Sequence, residues 1–551
     1  MLQRYLPRIE FGSYDDFAEN FTIPEPDNFN FGFDIVDEWA RLEPDKRALL
    51  WVNDEGEERT FSFGDISRLS NRAANYFKSI GIQKGERVLC VLRRRWEYWV
   101  TAAALCKIGA TIIPGTLQMM KKDIVYRAES AGISTLICVD DASIVEQTEA
   151  AAGLTPGIKN LLLVGKARHG WTDYGAVLAD ENIPDSFAGE RVTENDDIML
   201  IYFTSGTTKL PKMVMHNFLH PLGHIITAKY WQHVEENQLH MSVADSAWAK
   251  FGWGKIYGQW ICGASIFCYD MVGKFQPTKL LEKLAKYRVA TFCCPPTTYR
   301  FLLQEDVGQY DLSGLHHCTT AGEPLNPEVI KQWRELTGHT IHEGFGQSEG
   351  PVLIANFGWD NIKPGSTGKP SPLLNVKILA PDGREMEDGE EGSICVTAKK
   401  PVGLFVGYYG DVEATQTALG GDCYNLHDMA WRDSDGYINF IGRDDDMIKS
   451  SGYRIGPFEV ESALIEHPAV VECAITGVPD PEGTRGQLIK ASVILARGYE
   501  ASGELVKELQ DHVKHTTAPY KYPRIIEFVE ELPKTLGGKI KRAEIRKVSE
   551  Q

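Results

Sequence analysis

Three threonines, a serine, a glycine and two lysines crowd the run Thr204-Ser205-Gly206-Thr207-Thr208-Lys209-Leu210-Pro211-Lys212. That composition suits a polyphosphate, whose oxygens accept from backbone N–H groups, hydroxyls and the ammonium of Lys212, while glycine lets the backbone come close. The apolar stretch Asp197 to Phe203 before it reads as a buried strand. The loop would then emerge at a strand's C-terminal end, where α/β folds bind ligands. Its spacing is not that of the G-x-x-x-x-G-K-[ST] loop, so its chemistry need not be the same. Read alone, the run is equally a Ser/Thr-rich turn that holds no ligand.

Other runs have the same double character. In Glu343-Gly344-Phe345-Gly346-Gln347-Ser348-Glu349, glycines permit close backbone approach, Phe345 offers a flat face to a base, and Glu349 could hold Mg²⁺ between phosphates. The plain alternative is a glycine turn with a surface glutamate. Thr319 to Pro327 is a polar turn entering a helix, able to set backbone groups against a purine edge or simply to start the helix. Asp428, ahead of the hairpin turn Asp433 to Tyr437, can accept from ribose hydroxyls, although turn aspartates commonly cap or solvate. Near the C-terminus, Ser451-Gly452-Tyr453-Arg454 sets an arginine beside permissive backbone. Lys539 lies on a glycine loop that can reach a distant cleft or stay solvated.

The elements that must position these residues follow from periodicity. Leu49 to Val52 reads as a strand, and Ile66, Leu69, Ala73 and Phe77 as one face of a helix that Gly81 stops. Strands over Arg87 to Leu92 and Ala110 to Ile113 flank a helix from Glu97 to Cys106, and such repeated βα units imply largely parallel, covered sheets. The last hundred residues read as a smaller α+β unit, with strands Val470 to Gly477 and Leu488 to Leu495 and a helix from Ser502 carrying Leu505, Leu509 and Val513 on one face. Gly442 to Met447 reads as an exposed linker.

A chain of 551 residues exceeds one core, so two or more domains are expected. A net charge of −18 argues against general nucleic-acid binding and against acidic membrane surfaces. No apolar run is long enough for a secretory signal or stable membrane insertion, so the chain is expected to be cytoplasmic. Eleven cysteines without a C-x-x-C pair read as reduced core residues, not as a zinc site or a disulfide framework.

In this order, and over most of the chain, the segments resemble the AMP-forming acyl-CoA synthetases of the adenylate-forming superfamily. Cys294 to Leu302, His317 to Glu328 and Ser451 to Glu461 are most similar to the medium-chain acyl-CoA synthetase branch. The resemblance implies an α/β fold: a large N-terminal domain, residues 1–444, of stacked and largely parallel sheets with covering helices and a β-barrel-like part. A small mobile α+β domain, residues 445–551, would hinge near Asp445. It also implies two steps, in which a carboxylic acid and ATP give acyl-AMP and pyrophosphate, and coenzyme A then displaces AMP. By resemblance, Lys539 and Mg²⁺ on Glu349 stabilise charge at the phosphate, Ser348 hydrogen-bonds a phosphate oxygen and Arg454 contacts phosphate. Asp428 and Arg443 take the ribose. Gly322, Glu323, Pro324 and Phe345 take the adenine, and Gly344, Gly346 and Gln347 bind the nucleotide with them. Ser451, Gly452 and Tyr453 line the pantetheine tunnel.

The acyl pocket falls to Trp248, Lys250, Phe251, Gly252 and Trp253, with Gly346 standing where acetyl-CoA synthetases carry tryptophan. An acid larger than acetate follows: medium-chain, branched, alicyclic or aromatic. A homodimer is left open. Four positions depart from the family pattern: Lys209 for glycine, Ser348 for threonine, His427 for glycine and Met215 for glutamate. Lys209 adds a cation beside pyrophosphate and is expected to favour its use in the reverse, ATP-forming direction; an unchanged pyrophosphate KM in Lys209→Gly would refute this. Two further readings stay open, an adenylation enzyme that loads a carrier protein and a nucleotide binder that has lost catalysis.

Overall fold

The computed structural model describes residues 1–204, 211–359, 361–482, 484–534 and 540–549. Ser205, Gly206, Thr207, Thr208 and Lys209 of the phosphate-type loop, and Lys539, lie outside the described residues.

Two large sheets organise the N-terminal part. In the first, Thr111–Pro114, Arg87–Val91, Ile133–Val139 and Asn160–Val164 run parallel, and Ile198–Thr204 joins them beside Thr111–Pro114. In the second, Arg47–Asn53, Ser265–Asp270, Leu239–Ser242, Thr291–Cys293, His317–Ala321 and Ile341–Phe345 are parallel neighbours, edged by short antiparallel strands. The strand at Leu49 therefore does not continue into the unit that begins at Arg87; it belongs to the other sheet, between Ser265–Asp270 and the edge strand Glu58–Ser62. Between the sheets lies the helix Glu97–Ile108, all of whose residues are buried. Its sequence has no polar stripe, which is what a helix enclosed on every side requires. The helix Phe63–Ser79 starts in a capping box, with the Ser62 hydroxyl accepting from Asp65 N–H and the Asp65 carboxylate accepting from Ser62 N–H.

The expected barrel-like part takes the form of a four-stranded antiparallel sheet, Val376–Leu379, Glu391–Val396, Tyr424–Arg432 and Ile438–Arg443. The C-terminal unit has its own core, with Ile455, Leu464, Ile475, Val493, Leu509 and Val513 buried together. Ser502 caps its helix Gly503–Thr516 by accepting from Leu505 N–H. The segment read as an exposed linker is more structured than that. Gly442 and Arg443 finish a strand, Asp444–Asp446 form a 3-10 turn, and Asp446 is ion-paired to Arg546 at 2.7 Å and to Arg542 at 3.7 Å. One run of three aspartates, Asp444 to Asp446, suggested solvent, but cations about a hundred residues later supply the partners of Asp446.

Candidate active site

The strand Ile198–Thr204 pairs antiparallel with Lys212–Asn217, Thr204 opposite Lys212, and Lys212–Asn217 pairs in turn with the edge strand Gly407–Tyr408. Lys212 lies 4.6 Å from the centre of the Tyr408 ring, which comes from the next strand outward. Tyr408 in turn donates its hydroxyl to Glu349 Oε1 at 3.3 Å, and the Phe405 N–H donates to the Glu349 carbonyl at 2.7 Å. The loop's second lysine and the acidic end of the glycine motif thus share one tyrosine.

Behind Glu349 the motif is tied on both sides. Ser348 gives its carbonyl to His216 Nε2 at 2.8 Å. The Gln347 amide donates to Asp428 Oδ2 at 2.6 Å and to the Leu426 carbonyl at 2.9 Å, while its oxygen accepts from the Tyr424 hydroxyl at 3.1 Å. Asp428 is buried and sits opposite Arg443 in the antiparallel register. Phe345 packs its ring 5.7 Å from Phe440. Burial and the neighbouring Glu349 push the Tyr424 phenol well above its ordinary pKa, so it stays a neutral donor.

On the adjoining strand, Gly322 takes φ +103°, a conformation costly to residues with a Cβ. Glu323 accepts from the Thr297 hydroxyl at 2.8 Å, and Pro324 follows it into the turn before helix Pro327–Thr337. Lys250, which could have paired with a substrate carboxylate, donates to the Ala321 carbonyl at 2.5 Å and lies 3.9 Å from where a Gly322 Cβ would sit.

Glu343 is buried one strand position before Gly344, and burial raises its carboxyl from 4.5 to about 8. A carboxyl so shifted holds its proton in the folded chain and loses it in the unfolded one. The folded state is therefore favoured below pH 4.5 and loses that advantage as pH rises through about 8, by on the order of 5 kcal/mol. Glu343→Gln cannot ionise. Its melting temperature is expected to gain on the native enzyme steadily from pH 5 to pH 8.5; a difference independent of pH would contradict this.

The glycines of the motif have a different reason from the one their sequence suggested. A Cβ on Gly346 would lie 2.3 Å from the Trp253 ring, and one on Gly344 would lie 2.5 Å from the Trp231 ring. The Trp253 indole beside Gly346 is held by donating to the Gly350 carbonyl at 3.0 Å. Phe251 is buried 4.7 Å from Tyr98 and 5.1 Å from Trp99, and Gly252 abuts the hydroxyl of Tyr202. Trp248 begins the helix Ala249–Gly254 and is only half-buried. Of these rings, Phe251 and Trp253 are core, and Trp248 is the more accessible.

His427 holds φ +60° in a strand, so it occupies the left-handed conformation for which glycine is suited, at a cost of about 1 kcal/mol. Its N–H is compensated by Asn425 Oδ1 at 2.7 Å. In the C-terminal unit, Ser451 and Gly452 at φ +52° and +85° make the tight turn before Tyr453–Ile455. Arg454 pairs with Asp444 at 2.9 Å and Asp445 with Arg443 at 3.2 Å. Tyr453 stacks on Tyr520 at 4.0 Å and 13°, both rings exposed, and Arg485 donates to the Ser451 hydroxyl at 3.4 Å. Sequence reading missed Tyr408, Tyr424, Tyr520 and Arg485. Only Tyr520 carried a local signal, as an aromatic between Pro519 and Pro523.

Residues 36–409 match the family of AMP-binding enzymes, and residues 459–539 match the AMP-binding enzyme C-terminal domain. The chain is 40% identical over 549 residues to the mitochondrial acyl-coenzyme A synthetase ACSM3 of Mus musculus, covering 98% of this chain and 93% of that protein. The chain belongs to the AMP-forming acyl-CoA synthetases. It is 41% identical to the mitochondrial ACSM4 of Homo sapiens over 539 residues, 95% of this chain and 91% of that one. The crystal structure of the anthranilate CoA ligase AuaEII with anthranoyl-AMP matches with a TM-score of 0.87 at 27% identity, over 96% of this chain and 98% of that one. This synthetase is accordingly an ATP-dependent acid:CoA ligase that forms AMP. The cytoplasmic expectation is overturned, because these ACSM relatives are named mitochondrial. Lack of a secretory apolar run bears only on secretion; mitochondrial targeting is read from amphipathic, arginine-rich character instead.

Proposed function

We propose that this synthetase activates a medium-chain, branched, alicyclic or aromatic acid, with Asp428 and Arg443 on the ribose, Phe345 and Gly322 to Pro324 around the adenine, and Glu349, Ser348 and Lys539 at the reacting phosphate. The observation that carries the reading is the convergence of Gln347, Asp428, Tyr424, Glu349 and Tyr408 on one hydrogen-bonded cluster beside the strand Lys212–Asn217. A carboxylate is a poor acyl donor because it would have to expel oxide; linking it to AMP gives it a stable phosphate leaving group. Asp428 can accept from ribose hydroxyls because Gln347 fixes it from the other side.

Glu349 fits Mg²⁺ in donor chemistry, since Mg²⁺ takes one or two carboxylates and fills its remaining positions with phosphate oxygens and water. Among the described residues no group of three or more His, Cys, Asp or Glu could hold a metal, which suits an ion that arrives with the nucleotide. Bound there, the ion would neutralise charge on the phosphates. Asp445 is the proposed hinge and 444/445 the proposed boundary, with Ser451, Gly452 and Tyr453 on the CoA side. The names of the ACSM relatives support a mitochondrial setting.

The acid class draws on the anthranilate ligase and on the half-buried indole of Trp248. A CoA-dependent AMP-release assay across acetate, hexanoate, isobutyrate, cyclohexane carboxylate and benzoate tests it. Acetate is expected to be the poorest substrate by at least about tenfold in kcat/KM. Acetate as the best substrate would refute the assignment.

A further inference from the structure

Three buried histidines lie beneath the glycine motif with no role so far assigned. His216 ends toward Ser348, and His220 and His224 belong to the next helix, His220–Ile225. The His216 and His220 rings lie 3.9 Å apart, and His220 and His224 4.6 Å apart. The helix reaches this place through two glycines: a Cβ on Gly223 would lie 2.6 Å from Gly403 Cα.

The hydrogen bonds admit one assignment of protons. A carbonyl only accepts, a backbone N–H only donates, and a neutral imidazole does each once. The Gly403 carbonyl is 3.3 Å from His220 Nδ1, so that nitrogen carries the proton and His220 Nε2 is an acceptor. His224 Nε2, at 3.1 Å, must then donate to it, which leaves His224 Nδ1 as an acceptor for the Thr227 hydroxyl at 3.3 Å. The Thr227 oxygen accepts from Val352 N–H at 3.3 Å. The chain from Val352 through Thr227, His224 and His220 to Gly403 therefore has a single direction, with every member satisfied. Burial lowers all three imidazole pKa values, His216 to about 4 and His224 to about 3, so the rings are neutral as the chain requires.

Its two ends are the two segments that hold Glu349. Val352 lies three residues beyond it, and Gly403 is two residues before Phe405, whose N–H binds the Glu349 carbonyl. We propose that His220 and His224 are positioning residues for Glu349, fixing the spacing between the Ser348 to Val352 turn and the Gly403 to Tyr408 segment. This rests on the reading of Glu349 as the metal-side carboxylate.

The test compares His224→Phe, His224→Gln, Thr227→Val and Glu349→Gln in acid-dependent exchange of pyrophosphate into ATP, per active site, with Mg²⁺ titrated. His224→Phe and the isosteric Thr227→Val are expected to lower kcat about tenfold and to raise half-saturating Mg²⁺, with the acid KM within about twofold. His224→Gln, whose amide can still donate to His220, is expected to recover most of the loss. In ¹⁵N-histidine spectra of the native enzyme, His220 should carry its proton on Nδ1 and His216 and His224 theirs on Nε2. If Glu349→Gln fails but the phenylalanine and valine variants keep native kcat, the positioning role is overturned. If Glu349→Gln also keeps native exchange, the Glu349 reading falls and takes the proposal with it. A His220 proton found on Nε2 overturns the chain directly.

Discussion

Glu349→Gln is expected to slow acid-dependent pyrophosphate exchange by about 100-fold or more, the loss typical when one charged stabiliser of a phosphoryl transition state is removed. Glutamine keeps the length of the side chain, the hydrogen bond from Tyr408 and the backbone tie to Phe405, so the local fold should persist. What it removes is the negative charge that would hold a divalent cation against the phosphates. The loss should therefore appear in kcat and in the Mg²⁺ requirement, with the acid KM little changed. Exchange within threefold of the native rate would place the metal-side carboxylate elsewhere.

Lys539→Ala is expected to separate the half-reactions. Its ammonium is suited to the charge that grows on the α-phosphate during adenylation. Adenylation should fall about 100-fold or more, while acyl-CoA formation from supplied acyl-adenylate and CoA stays within a few-fold of native. That split follows if the C-terminal unit turns a different face to the site in the second step, presenting the Ser451 to Arg454 turn beside the stacked Tyr453 and Tyr520. Equal loss of both half-reactions would argue that Lys539 acts in both or supports the fold.

Local elements were legible because local physics decides them. Ser502 capping a helix with Leu505, Leu509 and Val513 inward, and the hairpin at Gly436, needed only periodicity and turn chemistry. Sheet membership was not legible: Arg47–Asn53 and Arg87–Val91 both read as parallel strands, yet which sheet each joins depends on pairing with Ser265–Asp270 or Thr111–Pro114. The same limit applied at the site. Asp428 and Glu349 could be named from motif and resemblance, but Gln347 bridging to Asp428, and Tyr408 serving both Lys212 and Glu349, are contacts across the fold. At Gly346 too the reason for a small residue lies across the fold, since a Cβ there would meet the Trp253 ring. The histidine chain was invisible as a motif because its direction comes from the Gly403 and Val352 backbone groups at its ends.

The central claim, that the acid is activated through its own adenylate, is tested most directly by following its oxygen. The enzyme is turned over with ATP, CoA and a medium-chain or aromatic acid carrying ¹⁸O in its carboxylate, and AMP and pyrophosphate are analysed by mass. Attack of the carboxylate on the α-phosphate followed by thiol displacement leaves one ¹⁸O in AMP and none in pyrophosphate. Label in pyrophosphate, or AMP formed without label, would contradict the account.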